Sequence, residues 1–215
     1  MKEVGEDSGY RYTDHATNCS HPYLLPSVIN ELDSIKFDIL AFGNVPKLFD
    51  LGCGNGSVGN VLNSLGWEVT GVDTSTDGIE QAQRNHPNLA LFEGSAYDDL
   101  ADRYGRFPAV ISLEVVEHIY APRLYAKTLF NLVDSGGTAI VSTPYHGYWK
   151  NLALATTGAL DKHFTALWEH GHIKFWSITT LTKLLSDAGF DNIRFNRVGR
   201  IPALAKSMIA IARKP

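Results

Sequence analysis

Phe49-Asp50-Leu51-Gly52-Cys53-Gly54-Asn55-Gly56-Ser57-Val58-Gly59 is the stretch whose reading decides the fold. A short, mainly apolar run, Lys47-Leu48-Phe49, leads into it. Val58, Val61, Leu62 and Leu65 follow at i, i+3, i+4 and i+7. The pattern predicts a strand, a glycine turn and an amphipathic helix with these four residues on its inner face. Gly66 stands just past the helix end, where a left-handed residue closes the last turn. Without side chains the turn lets backbone approach a ligand. The helix start offers unpaired N–H groups to a polar or anionic group. The unit is a nucleotide-type binding corner.

Two registers fit the glycines. Gly54, Gly56 and Gly59 spell G-x-G-x-x-G, the dinucleotide fingerprint, and Asp73 lies near the expected distance downstream for a ribose contact. Two residues earlier, Asp50-Leu51-Gly52-Cys53-Gly54-Asn55-Gly56 places an acid at the strand end and a glycine immediately after it. Asp50 favours this second register, because a carboxylate there repels a pyrophosphate and attracts an ammonium group.

The rest of the chain supplies a frame. Its 215 residues suffice for one domain with a substantial core, here 1–215. A formal charge of −4 gives no basic footprint for nucleic acid. Two unpatterned cysteines, Cys19 and Cys53, suit a reducing compartment. The polar start, Met1 to Gly9, is no signal peptide, and no apolar run approaches a membrane span. The expectation is a soluble, cytoplasmic protein.

Residues 1–43 read as a loose arm, with Tyr10, Tyr12 and His15 as possible contacts, followed by a helix beginning at Pro22 or Pro26. Val28, Ile29, Leu32, Ile35 and Ile39 form its apolar face. Trp67 to Val72 alternates as a strand ending at Asp73, whose carboxylate can accept from both ribose hydroxyls; Ser75 can cap the helix that follows. Leu89–Phe92, Phe107–Leu113 and Thr138–Thr143 are further strands. Ile119, Leu124, Tyr125, Leu129, Leu132 and Val133 form a helix face closed by Gly136-Gly137. Alternation of this kind predicts a parallel α/β sheet. Ser177 and Gly189 bracket a later helix. Asn192–Val198 and Ser207–Ala212 are two strands without a long helix between them, hence antiparallel.

Residues 145–177 break the rhythm, and four of the eight histidines lie between 146 and 172. Such a stretch predicts an insertion covering a substrate; a surface helix with incidental aromatics is the alternative.

Several segments resemble the class I S-adenosylmethionine-dependent methyltransferases. They are Asp50-Leu51-Gly52-Cys53-Gly54-Asn55-Gly56, Val72-Asp73, Glu114-Val115-Val116-Glu117-His118-Ile119, Ser135-Gly136-Gly137, and Gly171-His172 before Phe175-Trp176-Ser177. The Glu114–Ile119 segment is similar to ubiquinone-biosynthesis O-methyltransferases and their small-molecule relatives. The resemblance implies a Rossmann-like methyltransferase fold: a doubly wound, mostly parallel seven-stranded sheet with an antiparallel C-terminal strand. It implies S-adenosylmethionine held by Asp50, Gly52, Cys53, Gly54, Gly56, Asp73, Thr74, Ser95, Ala96, Leu113 and Glu114. Family members often carry an acid where Ser95 stands, so the adenine contact departs from the pattern. The resemblance also implies a divalent metal on Glu114, Glu117 and His118. If a helix begins at Glu114, those three share one face at i, i+3 and i+4. Alternatively Glu114 serves the donor and His118 acts as a base.

A sulfonium donor is already activated, so the enzyme aligns an acceptor and excludes water. A hydroxyl acceptor also loses a proton, which suits a histidine. His118, His146 and His172 are the catalytic candidates, and the partner expected is a small-molecule acceptor rather than nucleic acid. The competing readings are an NAD-dependent oxidoreductase and a non-catalytic donor-binding subunit. No Tyr-x-x-x-Lys pair supports the former.

Overall fold

The computed structural model describes residues 20–164, 166–168 and 171–215. Tyr10, Tyr12, His15, Cys19 and His170 lie outside the described residues. The elements run α1 (His21–Ala41), β1 (Lys47–Leu51), α2 (Ser57–Ser64), β2 (Glu68–Asp73), α3 (Thr76–Asn85), β3 (Ala90–Glu93), α4 (Leu100–Tyr104), β4 (Phe107–Leu113), α5 (Pro122–Leu132) and β5 (Val133–Pro144). Then follow α6 (Tyr148–Thr156), α7 (Leu160–Phe164), α8 (Ile178–Ala188), β6 (Asp191–Val198) and β7 (Ser207–Arg213), with a 3-10 turn at Pro202–Leu204 between the last two strands.

Seven strands form one sheet in the order β3-β2-β1-β4-β5-β7-β6. The first five are parallel, and β7 pairs antiparallel with both β5 and β6. The strands read as apolar runs because both faces are covered. Side chains alternate across the pleat, so Leu48 and Phe49 enter opposite layers. On one side Phe49, Val110 and Val141 meet Tyr125, Leu129 and Leu132 of α5 and Leu181 and Leu185 of α8. On the other, Leu48, Ala109 and Ile140 meet Leu24, Val28 and Leu32 of α1, with Leu62 and Ile79. No helix among the described residues is long and apolar enough to cross a membrane.

The doubly wound, mostly parallel sheet is the one expected, and β4 has the expected bounds. Gly66 is left-handed at φ 84°, just past α2. Ser177 caps α8, accepting from the Thr180 N–H while Thr180 Oγ1 accepts from the Ser177 N–H, and Gly189 closes that helix.

Four expectations are corrected. Residues 114–119 form a turn, not the start of a helix; α5 begins only at Pro122, whose fixed φ suits a first helical turn. Gly136-Gly137 does not follow the helix directly. β5 takes over at Val133, and the register jumps from Phe107↔Val133 to Ala109↔Thr138, so residues 134–137 bulge out. Lys214 stitches that bulge, its N–H donating to Gly137 O and its carbonyl accepting from the Gly136 N–H. Leu65 and Leu124 are 40% and 54% exposed, because Leu65 falls in the helix-closing turn and Leu124 on the outer side of α5.

The strand order reverses between β1 and β4. In an open α/β sheet, the crevice at the carboxyl ends beside such a reversal is where ligands bind.

Candidate functional site

That crevice opens into a cavity of about 1360 Å³. It is larger than the ~300–1,000 Å³ usual for one small ligand, which leaves room for a second. Its floor is the glycine corner. The N–H groups of Gly52 and Cys53 both donate to Val72 O, at 2.8 and 3.0 Å, locking the turn against β2. Gly52 has φ 91°, and a Cβ there would sit 2.4 Å from Val115 Cγ2. Conformation and space both demand glycine.

Asp73 holds the other side of the corner, its Oδ2 accepting from Gly54 N–H at 2.9 Å and its Oδ1 from Ser75 N–H at 2.8 Å. Ser75 caps α3, accepting from Gly78 N–H, so Asp73 is left to face the cavity. Asp50 is 3% exposed at the end of β1. Burial, with Asp73 close by, raises its pKa to about 7. Burial also raises Asp73, against the amides of Ser75, Gly54 and Thr74. Burial, then the charges of Asp50 and Asp73, push the Cys53 thiol well up, which keeps it an unreactive wall.

Glu114 ends β4 at φ 56°, a positive value rare outside glycine. Its N–H donates to Ser142 Oγ at 2.9 Å, and that hydroxyl donates to Glu114 Oε1 at 2.8 Å. Ser207 Oγ lies 3.4 Å from Oε2 and within 3.3 Å of the Tyr23 hydroxyl. The strained residue thereby aims its carboxylate into the cavity. Burial raises it to about 7, against the hydroxyls of Ser142 and Ser207 and the charge of Lys150. None of the ion pairs among the described residues involves Asp50, Asp73 or Glu114. The corner is an acidic pocket in which Lys150 reaches one of the carboxylates, Glu114, without forming an ion pair.

Of the expected cofactor residues, Asp50, Gly52, Cys53, Gly54, Asp73, Thr74, Ser95, Ala96, Leu113 and Glu114 all line the cavity. Gly56 does not. A Cβ there would meet Leu91 Cδ1 at 2.8 Å, so it serves the packing of α2 on α3 and β3. Asp98, the acid nearest Ser95, lies outside the lining, where its Oδ2 accepts the Ser95 N–H.

The 115–118 turn begins the opposite end. Ile173 and Lys174 N–H both donate to Glu117 O at 2.9 Å, and Trp176 Nε1 donates to Val116 O at 3.1 Å. The 171–176 strap thus grips the turn. His118 Nδ1 lies 3.2 Å from Gly171 O. A carbonyl only accepts, so the proton is assigned to Nδ1 and the lone pair to Nε2. Glu117 is 1% exposed with the Thr143 hydroxyl beside it, and neither of its oxygens has a hydrogen-bond partner of good geometry among the described residues. Burial, and secondarily Glu114, raises its pKa well above the carboxylate range.

Glu117, His118 and His172 can bring one ligand atom each within 4.8 Å of one another. The expected trio of Glu114, Glu117 and His118 is therefore redrawn. Without a helix at Glu114 the i, i+3, i+4 face never forms; Ser142 and Ser207 hold Glu114, and His172 takes the third place. An orphaned carboxylate with two imidazoles fits a borderline divalent cation such as zinc better than magnesium, which wants an all-oxygen shell.

His146 stacks on Phe164 at 5.9 Å and meets Phe175 edge-on at 5.1 Å. His172 lies 5.0 Å from His118 and 5.4 Å from Trp168. Burial first, then the charge of Lys150 for His146 and of His118 for His172, lowers each to about 4. Both stay neutral and are poor proton acceptors. Sequence reasoning missed two walls: Ser20, His21 and Tyr23 at the start of α1, and 200–207 between β6 and β7. The only signal was Arg200 and Lys206 flanking Pro202.

Known proteins of similar sequence and fold give this chain its family. A family model described as a methyltransferase domain matches residues 29–194. The ubiquinone biosynthesis O-methyltransferase of Caulobacter sp. (strain K31) is 35% identical over 141 residues, 62% of this chain and 56% of that protein. The chain thus spans a little over half the length of that relative. The protein of the same name from Cereibacter sphaeroides (strain ATCC 17025 / ATH 2.4.3) is 29% identical over 182 residues, covering 81% of this chain and 72% of its own. Among solved structures, magnesium protoporphyrin IX methyltransferase from Synechocystis PCC 6803 with bound SAH has TM-score 0.62 at 22% identity, over 86% of this chain and 83% of that one. At that identity the likeness is one of fold.

Proposed function

This chain belongs to the class I S-adenosylmethionine-dependent methyltransferase family, and on that premise we propose that it transfers a methyl group to a hydroxyl oxygen of a small molecule. The observation that carries the reading is the acidic corner of Asp50, Asp73 and Glu114 beside the glycine turn. Three carboxylates outside any ion pair among the described residues suit a ligand bearing ammonium and sulfonium charges, and oppose a pyrophosphate. Asp73 would take the ribose hydroxyls, Glu114 and Asp50 the methionine ammonium, and Ser95-Ala96 the adenine. Oxygen as acceptor atom is supported by the names of the Caulobacter and Cereibacter relatives.

In this reading the acceptor hydroxyl lies between the corner and His118. His118 Nε2 takes the hydroxyl proton while the oxygen attacks the methyl carbon. The carbon–sulfur bond breaks, and its electron pair stays on sulfur as the sulfonium becomes a neutral thioether. Gly171 O holds the imidazole in the needed tautomer and steadies the imidazolium that forms. The segment 145–177 covers the acceptor and excludes water. A divalent cation, if used, would be held by Glu117, His118 and His172 and would lower the pKa of a hydroxyl bound to it.

Calorimetry with S-adenosylmethionine, its demethylated product and NAD tests the reading. The two sulfur compounds bind and NAD does not. Binding of NAD alone would end it.

A further inference from the structure

The charged residues lining the cavity are sorted by sign. The acids, Asp50, Asp73, Glu114 and Glu117, all sit on the ends of β1, β2 and β4 and the turn after β4. The cations, Lys150, Lys162, Arg200 and Lys206, all sit on other elements, on α6, on α7 and on the connection between β6 and β7. None of the four cations belongs to an ion pair among the described residues. A cationic donor explains the acidic half. It leaves the basic half without a purpose.

Lys150 is the centre of that half. The residue is half-buried, and its ammonium donates to a backbone carbonyl, Lys206 O, at 3.4 Å. It lines the chamber, and its charge reaches Glu114, His146, His163 and His172. Burial, with Arg200 next to it, lowers it to about 8 against the opposing charge of Glu114. Lys206 Nζ is parked 5.1 Å over the Tyr23 ring. One acid, Glu114, reaches Lys150, against four cations on that side, so the side keeps an excess of positive charge. The cavity is walled by His146, His163, Trp168 and Phe175, which suit a flat, apolar body.

We infer that the acceptor carries an oxyanion, a carboxylate or a phosphate, on an aromatic body, and that Lys150 with Arg200 anchors it while its hydroxyl faces His118. This rests on the methyl-transfer reading for the hydroxyl, but the anion site stands on the sorted charges alone. Such anchoring would make the enzyme read the charged end of its acceptor and discriminate against neutral and cationic analogues.

The test is calorimetry on the full chain saturated with S-adenosylhomocysteine. The probes are 3,4-dihydroxybenzoate, phenyl phosphate, catechol and dopamine. Dihydroxybenzoate or phenyl phosphate should bind about tenfold or more tighter than catechol, the scale of one charge-assisted contact, and dopamine weakest. Whichever oxyanion is tighter identifies the group. Lys150→Gln and, separately, Arg200→Gln should each erase about tenfold of that preference while homocysteine-nucleoside affinity stays within about twofold. That retained affinity reports folding. Catechol or dopamine binding as tightly as both oxyanions overturns the inference, as does no oxyanion binding at millimolar concentration, or a preference intact in both variants. If the oxyanions bind as stated but S-adenosylhomocysteine does not, the anion site stands and the methyl-transfer reading falls.

Discussion

In the proposed reading, in which the glycine corner holds the donor, Asp50 makes it a proton-linked binding site. Its pKa is raised to about 7 when the corner is empty. A ligand that brings positive charge to it must find it ionised. The ionised fraction rises from about 0.1 at pH 6 to about 0.9 at pH 8, so affinity for S-adenosylhomocysteine should increase about tenfold across that range, or ~1.4 kcal/mol. Binding at pH 6 should release close to one proton, which calorimetry in buffers of different ionisation enthalpy counts directly. Asp50→Asn removes the titration, so its affinity should vary about tenfold less over the same range, and the variant subtracts any titration of the ligand itself. Folding stability of the empty protein moves the other way. The folded state keeps the Asp50 proton up to about pH 7 while the unfolded chain releases it near 3.8. Between those values the folded state binds more protons, so stability falls as pH rises, by up to about 4 kcal/mol from this group. Equal pH slopes for wild type and Asp50→Asn, with no proton release, would refute the reasoning.

Gly52→Ala should lower stability by about 2–4 kcal/mol, from the left-handed backbone and the Val115 overlap, read as a shifted denaturation midpoint with loss of donor affinity. His118→Ala should cut turnover on an identified acceptor by about 10²–10⁴-fold with donor affinity unchanged; full activity would remove the base assignment. Ser177→Ala removes one half of a capping box and should cost about 1 kcal/mol of stability, leaving the nucleoside site untouched. If Glu117, His118 and His172 hold a cation, equilibrium dialysis should retain about one zinc and no magnesium, and His172→Ala should lose it; absence of retained zinc would exclude the site.

The glycine corner was legible because chemistry and conformation coincide there: an acid at a strand end, then a turn whose backbone tolerates no Cβ. The strands were legible as apolar runs between turn residues, and α8 by Ser177 and Gly189. The turn at 114–119 was not, because Glu114, Glu117 and His118 have the spacing of a helix face. What decides it is distant: the Ile173 and Lys174 amides that clasp Glu117 O, and the hydroxyls of Ser142 and Ser207 that hold Glu114. Spacing cannot report a partner fifty residues away, and so His172 could be named as functional but not placed beside Glu117. The bulge at 134–137 escaped for the same reason, since its stitching residue is Lys214.

The position of β7 governs the order in which the molecule can be made. It is the last of the seven strands along the chain, yet it lies inside the sheet, between β5 and β6. On a ribosome the parallel half, β1 to β5, emerges first and can already fold its glycine turn. β6 has no neighbour to pair with until β7 follows it. Ser207, which completes the tether of Glu114, arrives with that strand, as does the Met208–Arg197 rung of the ladder. The glycine corner can therefore form during synthesis, whereas the tether of Glu114 is completed only after the final strand slots in. Pulse-labelled hydrogen exchange should find the Val72 and Ile111 amides protected before that of Ile211.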